Sequence, residues 1–313
     1  MWTGLISHPA CLGHLPPRGH PECSERLRAI TTALETDAFQ DLMRLDAPRA
    51  DEADLLRAHT REHLDVILGP TTKAALERGY VQIDPDTAMM AGSIDAALRA
   101  AGAVVAAVDE IHAERLRNAF CAVRPPGHHA ERARAMGFCL FNNVAVGALH
   151  ARAVHGYRRI AIVDFDVHHG NGTQDIFWSD IETFYASSHQ APFYPGTGYA
   201  SERGVADNIL NVPLRAGSGS REFRNAYERE ILPALQRFAP DFVFLSAGFD
   251  AHRDDPLAEL ELVENDYDWV TKAVCEIARM SAGARVVSVL EGGYDLEALA
   301  RSSAVHMRAL MEA

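Results

Sequence analysis

Short apolar runs rich in β-branched and aromatic residues recur along the chain, and each is followed by polar or glycine-rich residues. Continuous apolar strands of this length are typical of burial on both faces, as in a parallel sheet. The pattern predicts five such strands, at residues 119–123, 159–165, 183–187, 242–246 and 285–290.

Helical patterns lie between these strands. The stretch 220–237 begins with serine and is followed by Pro240, which is the punctuation expected of a helix. Strand and helix alternate, and no linker rich in Pro, Gly or Ser divides the chain, so the sequence predicts one doubly wound α/β domain over residues 1–313. The predicted helices cover 85–111 (beginning near Ser93 or earlier), 142–155, 220–237, 265–280 and 296–311.

Composition and charge narrow the class of protein. The chain has 313 residues, of which 48% are hydrophobic and 23% charged, as in globular enzymes. Its net charge of −13 disfavours non-specific binding of nucleic acid, which depends on neutralising phosphates. The same charge is compatible with a cationic substrate, although acidic surfaces are also common without one.

Cysteine usage and the absence of targeting signals indicate a compartment. The five cysteines are scattered and form no CxxC motif, which favours a reducing environment over a disulfide framework. The N-terminus lacks the basic region and long apolar stretch of a signal peptide. The most apolar segment, 96–108, contains Arg99 and is too short to span a bilayer. We therefore expect a cytoplasmic protein with no membrane partner.

Polar clusters stand where four of the predicted strands end. In open parallel sheets, ligands bind in the loops at the carboxyl ends of the strands. The sequence therefore predicts that the chemistry lies in these loops. The four clusters cover residues 124–129, 164–171, 246–252 and 291–294.

Three of these side chains are candidate ligands of one metal ion. Asp166 and His168 are two residues apart, so on an extended strand they share a face, and Asp250 at the end of another apolar run supplies a third ligand. An Asp/His/Asp set cancels the charge of a divalent cation and leaves positions open for water and substrate, as a catalytic zinc site requires. Helix caps or turn residues are the alternative for any single Asp.

The adjacent His128 and His129 are candidate acid–base residues. Adjacent histidines in a loop are often exposed or form a metal pair, but here Asp164 and Asn171 are spare acceptors in the neighbouring cluster. A histidine whose second nitrogen is held by an acceptor has a fixed tautomer and becomes a stronger base. Tyr294 follows two glycines; it either packs in the core or donates its hydroxyl to a developing oxyanion.

The clusters contain motifs that resemble the zinc-dependent histone deacetylase superfamily, which includes acetylpolyamine amidohydrolases and bacterial histone-deacetylase-like amidohydrolases. An early His20-Pro21-Glu22 with Arg26 also resembles this family. The resemblance covers nearly the whole chain and implies an arginase/deacetylase fold with an eight-stranded parallel sheet flanked by helices. The motifs, in chain order, are RPPGHHA (124–130), GFCLFNN (137–143), DFDVHHGNGT (164–173), PGTG (195–198), SAGFDAH (246–252) and EGGY (291–294).

The resemblance implies roles for the catalytic residues. It makes Asp166, His168 and Asp250 the ligands of one zinc ion per chain. It makes His129 the general base and acid, with His128 as its electrostatic partner.

The resemblance also implies which residues orient the histidine, contact the substrate and bind structural ions. Asp164 would hold His128, and the hydroxyl of Tyr294 would polarise the substrate carbonyl. The walls and rim of an acyl-lysine tunnel map to Gly137, Phe138, Tyr194 and Leu257. One structural potassium ion would be held, mostly through carbonyls, by Asp164, Asp166, His168, Ser187 and Ser188. A second, weaker potassium site maps near Phe177, Asp180, Thr183 and Asn208.

Four positions indicate where the chain lies within the superfamily. Asn171 stands where class I enzymes carry Asp, which favours the class II and bacterial branch. Tyr294 stands where the weakly active class IIa enzymes carry His, which favours a catalytically active enzyme. Tyr194 replaces the usual Phe of the tunnel and adds a hydroxyl. Leu257 stands where the polyamine-selective eukaryotic member is acidic, which weakens a polyamine interpretation.

The sequence thus predicts a zinc-dependent amidohydrolase that removes the acetyl group of an acetylated amine, such as an acetyl-lysine peptide or protein. Acetylpolyamine or another small amide is the alternative substrate. A binuclear-manganese ureohydrolase would need further carboxylates where the chain has Gly170 and His252, and a non-catalytic binder would not need every catalytic position filled. A homo-oligomer is compatible with the resemblance, because the relatives vary in oligomeric state.

Overall fold

A computed structural model describes residues 1–313, with ten strands and eleven helices. The strands are Trp2–Ser7 (β1), Met43–Asp46 (β2), Val81–Asp84 (β3), Thr87–Met89 (β4), Leu116–Cys121 (β5), Ile160–Asp164 (β6), Thr183–Gln190 (β7), Ile209–Leu214 (β8), Phe242–Ala247 (β9) and Val286–Leu290 (β10). The helices are Ser24–Ala33 (α1), Glu52–Ala58 (α2), Arg61–Leu68 (α3), Pro70–Leu76 (α4), Ser93–His112 (α5), Asn143–His155 (α6), Asn171–Phe177 (α7), Ser220–Ala226 (α8), Leu232–Phe238 (α9), Glu264–Ser281 (α10) and Leu296–Glu312 (α11).

Eight of the strands form one sheet in the order β2-β1-β5-β10-β9-β6-β7-β8, and every neighbouring pair is parallel. This confirms the predicted α/β fold with an eight-stranded parallel sheet. β3 and β4 form a separate antiparallel hairpin. The five strands predicted from the apolar runs correspond to β5, β6, β7, β9 and β10, and β1, β2 and β8 complete the sheet.

The central strands are continuous apolar segments because both of their faces are covered. Every residue of β6, β9 and β10 is buried. Helices flank the sheet in two groups: α5 packs with α6 and contacts β5, and α11 packs with α10 and α1 and contacts β1. Parallel sheets need this double cover, because their strands are joined by crossover helices.

Local signals explain where the helices nearest the site begin and end. The side chain of Asn142 accepts a hydrogen bond from the backbone of Ala145 and caps α6, and Gly156 ends that helix with a left-handed φ of 75°. The predicted helix 220–237 is divided into α8, a π-helical turn at Tyr227–Ile231, and α9. Pro233 lacks the N–H that would continue a regular helical ladder, which accounts for the wider turn before it.

None of the helices combines the length and the apolar character needed to cross a membrane.

Candidate active site at the carboxyl edge of the sheet

The four polar clusters predicted from the sequence follow four adjacent strands. β5, β10, β9 and β6 lie side by side at the centre of the sheet, so the loops that leave their carboxyl ends converge. The sheet therefore brings together side chains that are up to about 170 positions apart in the chain.

Asp166, His168 and Asp250 meet at this edge. The Nδ1 of His168 lies 3.1 Å from Asp166 Oδ1 and 3.1 Å from Asp250 Oδ2, and one ligand atom from each residue lies within 4.8 Å of the others. All three residues are buried. Backbone N–H groups fix both carboxylates, since Val167 donates to Asp250 Oδ1 and Gly292 donates to Asp166 Oδ2.

Two glycines leave room for these carboxylates. A Cβ atom at Gly248 would lie 2.1 Å from Asp166 Oδ2, and one at Gly292 would lie 2.0 Å from Asp250 Oδ2. Both distances are far below van der Waals contact, so only glycine allows the carboxylates to approach the loops after β9 and β10 this closely.

The charges of this triad fit a divalent cation. Burial and the negative charge of Asp166 raise the pKa of Asp250, because two buried carboxylates lie close together. Burial lowers the pKa of His168, but hydrogen bonds to the two carboxylates outweigh it and raise this pKa to about 10. Two carboxylate oxygens and one imidazole nitrogen are a donor set that zinc accepts, with positions left open for other ligands. The residues present therefore fit a catalytic zinc ion.

The buried surroundings of His128 favour its charged form. Its Nδ1 lies 2.9 Å from Asp164 Oδ2, and its Nε2 lies 3.8 Å from Asp166 Oδ1. Burial opposes ionisation, but Asp164, Asp166 and Glu291 overcome it and raise the pKa of His128 well above its ordinary value. These carboxylates therefore favour an imidazolium at His128, beside Asp166, His168 and Asp250.

His129 is neutral. Burial, followed by the positive charges of His128 and His168, lowers the pKa of His129 well below its ordinary value. Its Nδ1 donates to Asn171 Oδ1 at 2.8 Å, and Asn171 in turn donates through Nδ2 to Glu131 Oε1 at 2.8 Å. This chain fixes the tautomer, so the Nε2 of His129 keeps a free lone pair that can accept a proton.

Glu291 organises the loop that carries both histidines, and sequence reasoning did not assign it a role. Its Oε2 accepts hydrogen bonds from the backbone N–H groups of Gly127 and His128, at 2.7 and 3.1 Å. Its Oε1 accepts from Ser246 Oγ at 3.1 Å. Burial raises the pKa of Glu291 to about 7. The only available sequence signal was its place at the first position of EGGY, directly after an apolar strand.

A cavity of about 100 Å³ opens onto the triad. The four residues predicted to form the tunnel and its rim all line it. Asp86, which the sequence did not single out, lies in the turn of the β3–β4 hairpin and accepts a hydrogen bond from Gly137 N at 3.0 Å. The lining residues are Asp86, His129, Gly137, Phe138, His168, Tyr194, Leu257 and Tyr294.

The hairpin shapes the wall of this cavity. Gly137 and Phe138 both have left-handed φ angles, of 58° and 67°. Thr87 Oγ1 accepts a hydrogen bond from Phe138 N at 3.0 Å and helps to hold that conformation. The rings of Phe138 and Tyr294 pack edge to face, with centroids 6.0 Å apart.

Tyr294 is positioned by a buried carboxylate that sequence reasoning missed. Asp255 Oδ2 accepts a hydrogen bond from Tyr294 N at 2.7 Å, and its Oδ1 accepts from Leu257 N at 3.0 Å. Burial and the nearby charge of Asp250 raise the pKa of Asp255 to about 7. One side chain thus joins the rim of the cavity to the loop of the tyrosine.

A buried ionic network also contacts the loop that carries Tyr294. The carboxylate of Glu22 binds the guanidinium groups of Arg26 and Arg124, and all three residues are inaccessible to solvent. Arg26 also donates to the backbone oxygens of Glu291 and Gly293, and its guanidinium carbon lies 4.8 Å from the ring centroid of Tyr294. The HPE…R segment therefore contacts the loops after β5 and β10 directly.

The residues predicted to hold potassium lie together in two places. In the first, the register of β6 and β7 pairs Asp164 with Ser187. In the second, the backbone oxygens of Phe177, Asp180 and Thr183 converge on Asn208 Nδ2 at 2.9, 3.1 and 3.2 Å. The Oδ1 atom of Asn208 is buried and has no hydrogen-bond partner.

Comparison with known proteins shows which family this chain resembles. The family described as the histone deacetylase domain matches residues 20–310. The chain is 40% identical over 324 aligned residues to histone deacetylase 14, chloroplastic, of Arabidopsis thaliana, covering 98% of this chain and 76% of that protein. It is 37% identical over 296 residues to the histone deacetylase-like amidohydrolase of Pseudomonas aeruginosa, covering 93% of this chain and 75% of that protein.

A solved structure has the same fold. The crystal structure of the HDA15 HD domain superposes with a TM-score of 0.92 and 36% sequence identity, over 99% of this chain and 88% of that one.

Proposed function

The chain belongs to the histone deacetylase family, whose members include deacetylases and amidohydrolases, and we propose that it hydrolyses the acetamide of N-acetylated amines at the buried triad. The observation that carries this proposal is the convergence of Asp166, His168 and Asp250 beside a neutral and a cationic histidine. Acetyl-lysine in a peptide or protein is the substrate that we propose first.

Asp166, His168 and Asp250 would hold a zinc ion. When bound, zinc lowers the pKa of a water molecule and polarises the acetamide carbonyl as a Lewis acid. The two glycines at positions 248 and 292 support this assignment, because they make room for carboxylates that would otherwise be forced away from each other.

His129 is the residue that we propose moves the proton. Its free Nε2 accepts a proton from the attacking water and then donates it to the nitrogen of the departing amine. Asn171 keeps the ring in one tautomer through the whole cycle. The imidazolium of His128, held by Asp164, stabilises the negative charge that develops on the substrate.

Tyr294 completes the site by donating a hydrogen bond to the acetamide oxygen as charge develops on it. The narrow cavity between Gly137, Phe138 and Tyr194 suits a linear acyl-amine, and Leu257 gives the mouth an apolar rim. A long, unbranched lysine side chain fits such a passage better than a bulky amide.

Acetylpolyamine is the second candidate substrate, and two observations favour it. The chain has a net charge of −13, and Asp86 lies in the lining of the cavity. Both features attract a cationic tail. A two-metal ureohydrolase is disfavoured because Gly170 and His252 stand where bridging carboxylates would be needed.

We also propose one or two structural potassium ions. At the second site, the orphaned Oδ1 of Asn208 and the three backbone oxygens around its amide would all become ligands if that amide were rotated. The first site would use Asp164 at the end of β6, Asp166 and His168 in the loop after it, and Ser187 and Ser188 within the neighbouring strand β7.

The test is acetate release from acetyl-lysine peptides, compared by kcat/KM with acetylputrescine and acetylspermidine. We expect activity with the peptides, its loss on removal of zinc, and recovery when zinc is returned. Tyr294→Phe should lower kcat by about 10²- to 10³-fold with zinc content unchanged. Tyr199→Phe is the matched control, because that tyrosine is exposed. Full activity in the metal-free protein or in Tyr294→Phe would contradict the proposal.

A further inference from the structure

A second group of metal-binding side chains lies at the opposite edge of the sheet from the catalytic loops. Asp109 is in the last turn of α5, and His150 and His155 are in the second half of α6. β5 and β6 begin a few residues after these helices, so the group lies near the amino ends of the strands. None of these residues contacts the catalytic triad or its cavity.

The two imidazoles converge on one carboxylate oxygen. His150 Nε2 lies 2.7 Å and His155 Nε2 lies 2.6 Å from the same Oδ1 atom of Asp109. The ring centroids of the two histidines are 5.4 Å apart, and the rings are nearly perpendicular, at 75°. One ligand atom from each residue lies within 4.8 Å of the others, as in the catalytic triad.

The surroundings fix one of these ligands and leave the site open. Asp54 Oδ1, from α2, lies 3.1 Å from His150 Nδ1 and directs the Nε2 of that ring toward Asp109. Such a carboxylate–histidine pair typically orients a metal-ligating imidazole. The side chains of His150 and His155 are only 8% and 14% exposed, whereas that of Asp109 is 45% exposed.

We propose that Asp109, His150 and His155 form a second binding site, specific for a divalent transition metal such as Zn²⁺. Bond lengths of 2.0–2.2 Å in a tetrahedral site separate the ligand atoms by ~3.3 Å. Each imidazole nitrogen therefore needs to move away from Asp109 Oδ1 by less than about 1 Å, and the metal takes the place of the protons between the imidazoles and Asp109. Imidazole with one carboxylate favours zinc, copper or nickel over magnesium or calcium.

The fourth position of this site faces solvent and would be taken by water. His112 is the nearest further histidine, but its ring stacks on that of His155 with centroids 4.0 Å apart, and its Nδ1 lies 3.1 Å from the hydroxyl of Tyr157. The stacked ring lies against the face of His155, so its nitrogens are not directed at the ion that His155 would bind in its ring plane. A metal in the site links α5 to α6 and is expected to stabilise the fold.

The test separates this site from the catalytic one by emptying the latter. Asp166→Asn with Asp250→Asn removes two catalytic ligands, so zinc retained by this full-length variant after dialysis against metal-free buffer reports the second site. We expect about one zinc per chain in it. Adding Asp109→Asn and His155→Gln should lower the content to near zero. Adding Glu110→Gln and His112→Gln to the same background is the matched control and should leave it at about one.

A second measurement keeps the proposal testable if the combined variant folds poorly. In the background with the empty catalytic site, zinc should raise the melting temperature, and the single change His155→Gln should abolish that rise. No retained zinc in the background variant, or equal zinc content with and without Asp109 and His155, would overturn the proposal. Neither outcome depends on deacetylase activity, so failure here and failure of the proposed function are distinguishable.

Discussion

At the scale of single residues, the two adjacent histidines favour opposite charge states because their partners differ. His128 contacts the carboxylate of Asp164, which stabilises an imidazolium. His129 contacts the amide oxygen of Asn171, which orients the ring without a compensating charge. These different partners support the opposite tasks that we propose for the two histidines, one as a cation and the other as a base.

The charge of the partner at position 171 should therefore set the pH at which the enzyme becomes active. Asn171→Asp places a carboxylate on His129 and stabilises its protonated form, so the pKa of His129 rises. Because the base must be deprotonated to act, the acidic limb of kcat/KM should move to higher pH, by about 1 to 3 units.

The pH profile of kcat/KM on an acetyl-lysine peptide checks this expectation. Gln174→Glu is the matched control, because Gln174 contacts His169 rather than His129. An unchanged acidic limb in Asn171→Asp, or an equal shift in the control, would show that His129 is not the base.

The sequence predicted roles for several side chains that follow the apolar strands, left Glu291 at such a position without a role, and missed Asp86 and Asp255 altogether. His128, His129, Asp166 and Asp250 were predicted because strand ends of a parallel sheet share one edge. Asp86 and Asp255 lie in loops away from any strand end of the main sheet. Their positions depend on how the hairpin and the rim pack against the core, which no local pattern encodes.

At the scale of elements, some strands of the sheet were predicted from their sequence pattern and others were not. The central strands were predicted because both faces are buried and the sequence is continuously apolar. β2 is a four-residue edge strand with alternating exposure, and β8 is an edge strand that contains Pro213. Edge strands are often short and tolerate proline, so their sequences lack the apolar signal, and only the family resemblance predicted a sheet of eight.

The loop after β10 should be intolerant of any side chain at Gly292. In Gly292→Ala, the new Cβ would lie 2.0 Å from Asp250 Oδ2 and 2.7 Å from Asp166 Oδ2, so both carboxylates must move. We expect the zinc content at the catalytic site and the activity to fall by at least about tenfold, because a shift of about 1 Å already disrupts a catalytic site.

Zinc analysis and circular dichroism of the purified variant separate this effect from unfolding. Gly219→Ala is the matched control, since its Cβ would make only an ordinary contact, 3.5 Å from the backbone oxygen of Glu261. Normal zinc content and activity in Gly292→Ala would rule out the role that we give to the close approach at this loop.

The buried ionic network of Glu22, Arg26 and Arg124 joins α1 to the loops after β5 and β10. This network should make the free energy of unfolding depend on pH. Burial alone would raise the pKa of Glu22, but Arg124, followed by His14 and Arg26, lowers it from 4.5 to about 2. A carboxylate whose pKa is depressed by folding stabilises the protein above its unfolded pKa, and this contribution is lost as the pH falls from about 4.5 toward 2. Breaking a buried ion pair by removing one partner costs about 3 kcal/mol or more.

Urea unfolding of the metal-free protein between pH 7 and pH 3 tests this dependence. Glu22→Gln should be destabilised by about 3 kcal/mol at pH 7, and the difference from the parent protein should shrink as the pH falls. Glu297→Gln, which changes an exposed side chain, is the control and should show no such trend. A difference that stays constant from pH 7 to pH 3 would contradict the assigned role of Glu22.

At the scale of the whole molecule, the sheet separates two kinds of chemistry. Its carboxyl edge carries the buried triad, the histidines and the cavity, and its amino edge carries the Asp109–His150–His155 group between two helices. Because the two edges share α6, which begins beside the catalytic loops at Asn143 and ends at His155, a metal at one edge would stabilise the element that borders the other.

The acidic surface of the molecule should favour cationic substrates, and salt should reveal this. The net charge is −13, and Asp86 lies in the lining of the cavity, so we expect a negative field around the mouth. Such a field raises the local concentration of cations and is screened when the Debye length falls from ~30 Å at 0.01 M to ~3 Å at 1 M salt.

Two acetyl-lysine peptides, one flanked by lysines and one by glutamates, provide the comparison. The kcat/KM of the lysine-flanked peptide should fall by about tenfold over this range, and that of the glutamate-flanked peptide should rise or stay constant. The same response from both peptides would show that the charge of the molecule has no part in choosing its substrate, and the acetylpolyamine alternative would then lose its electrostatic support.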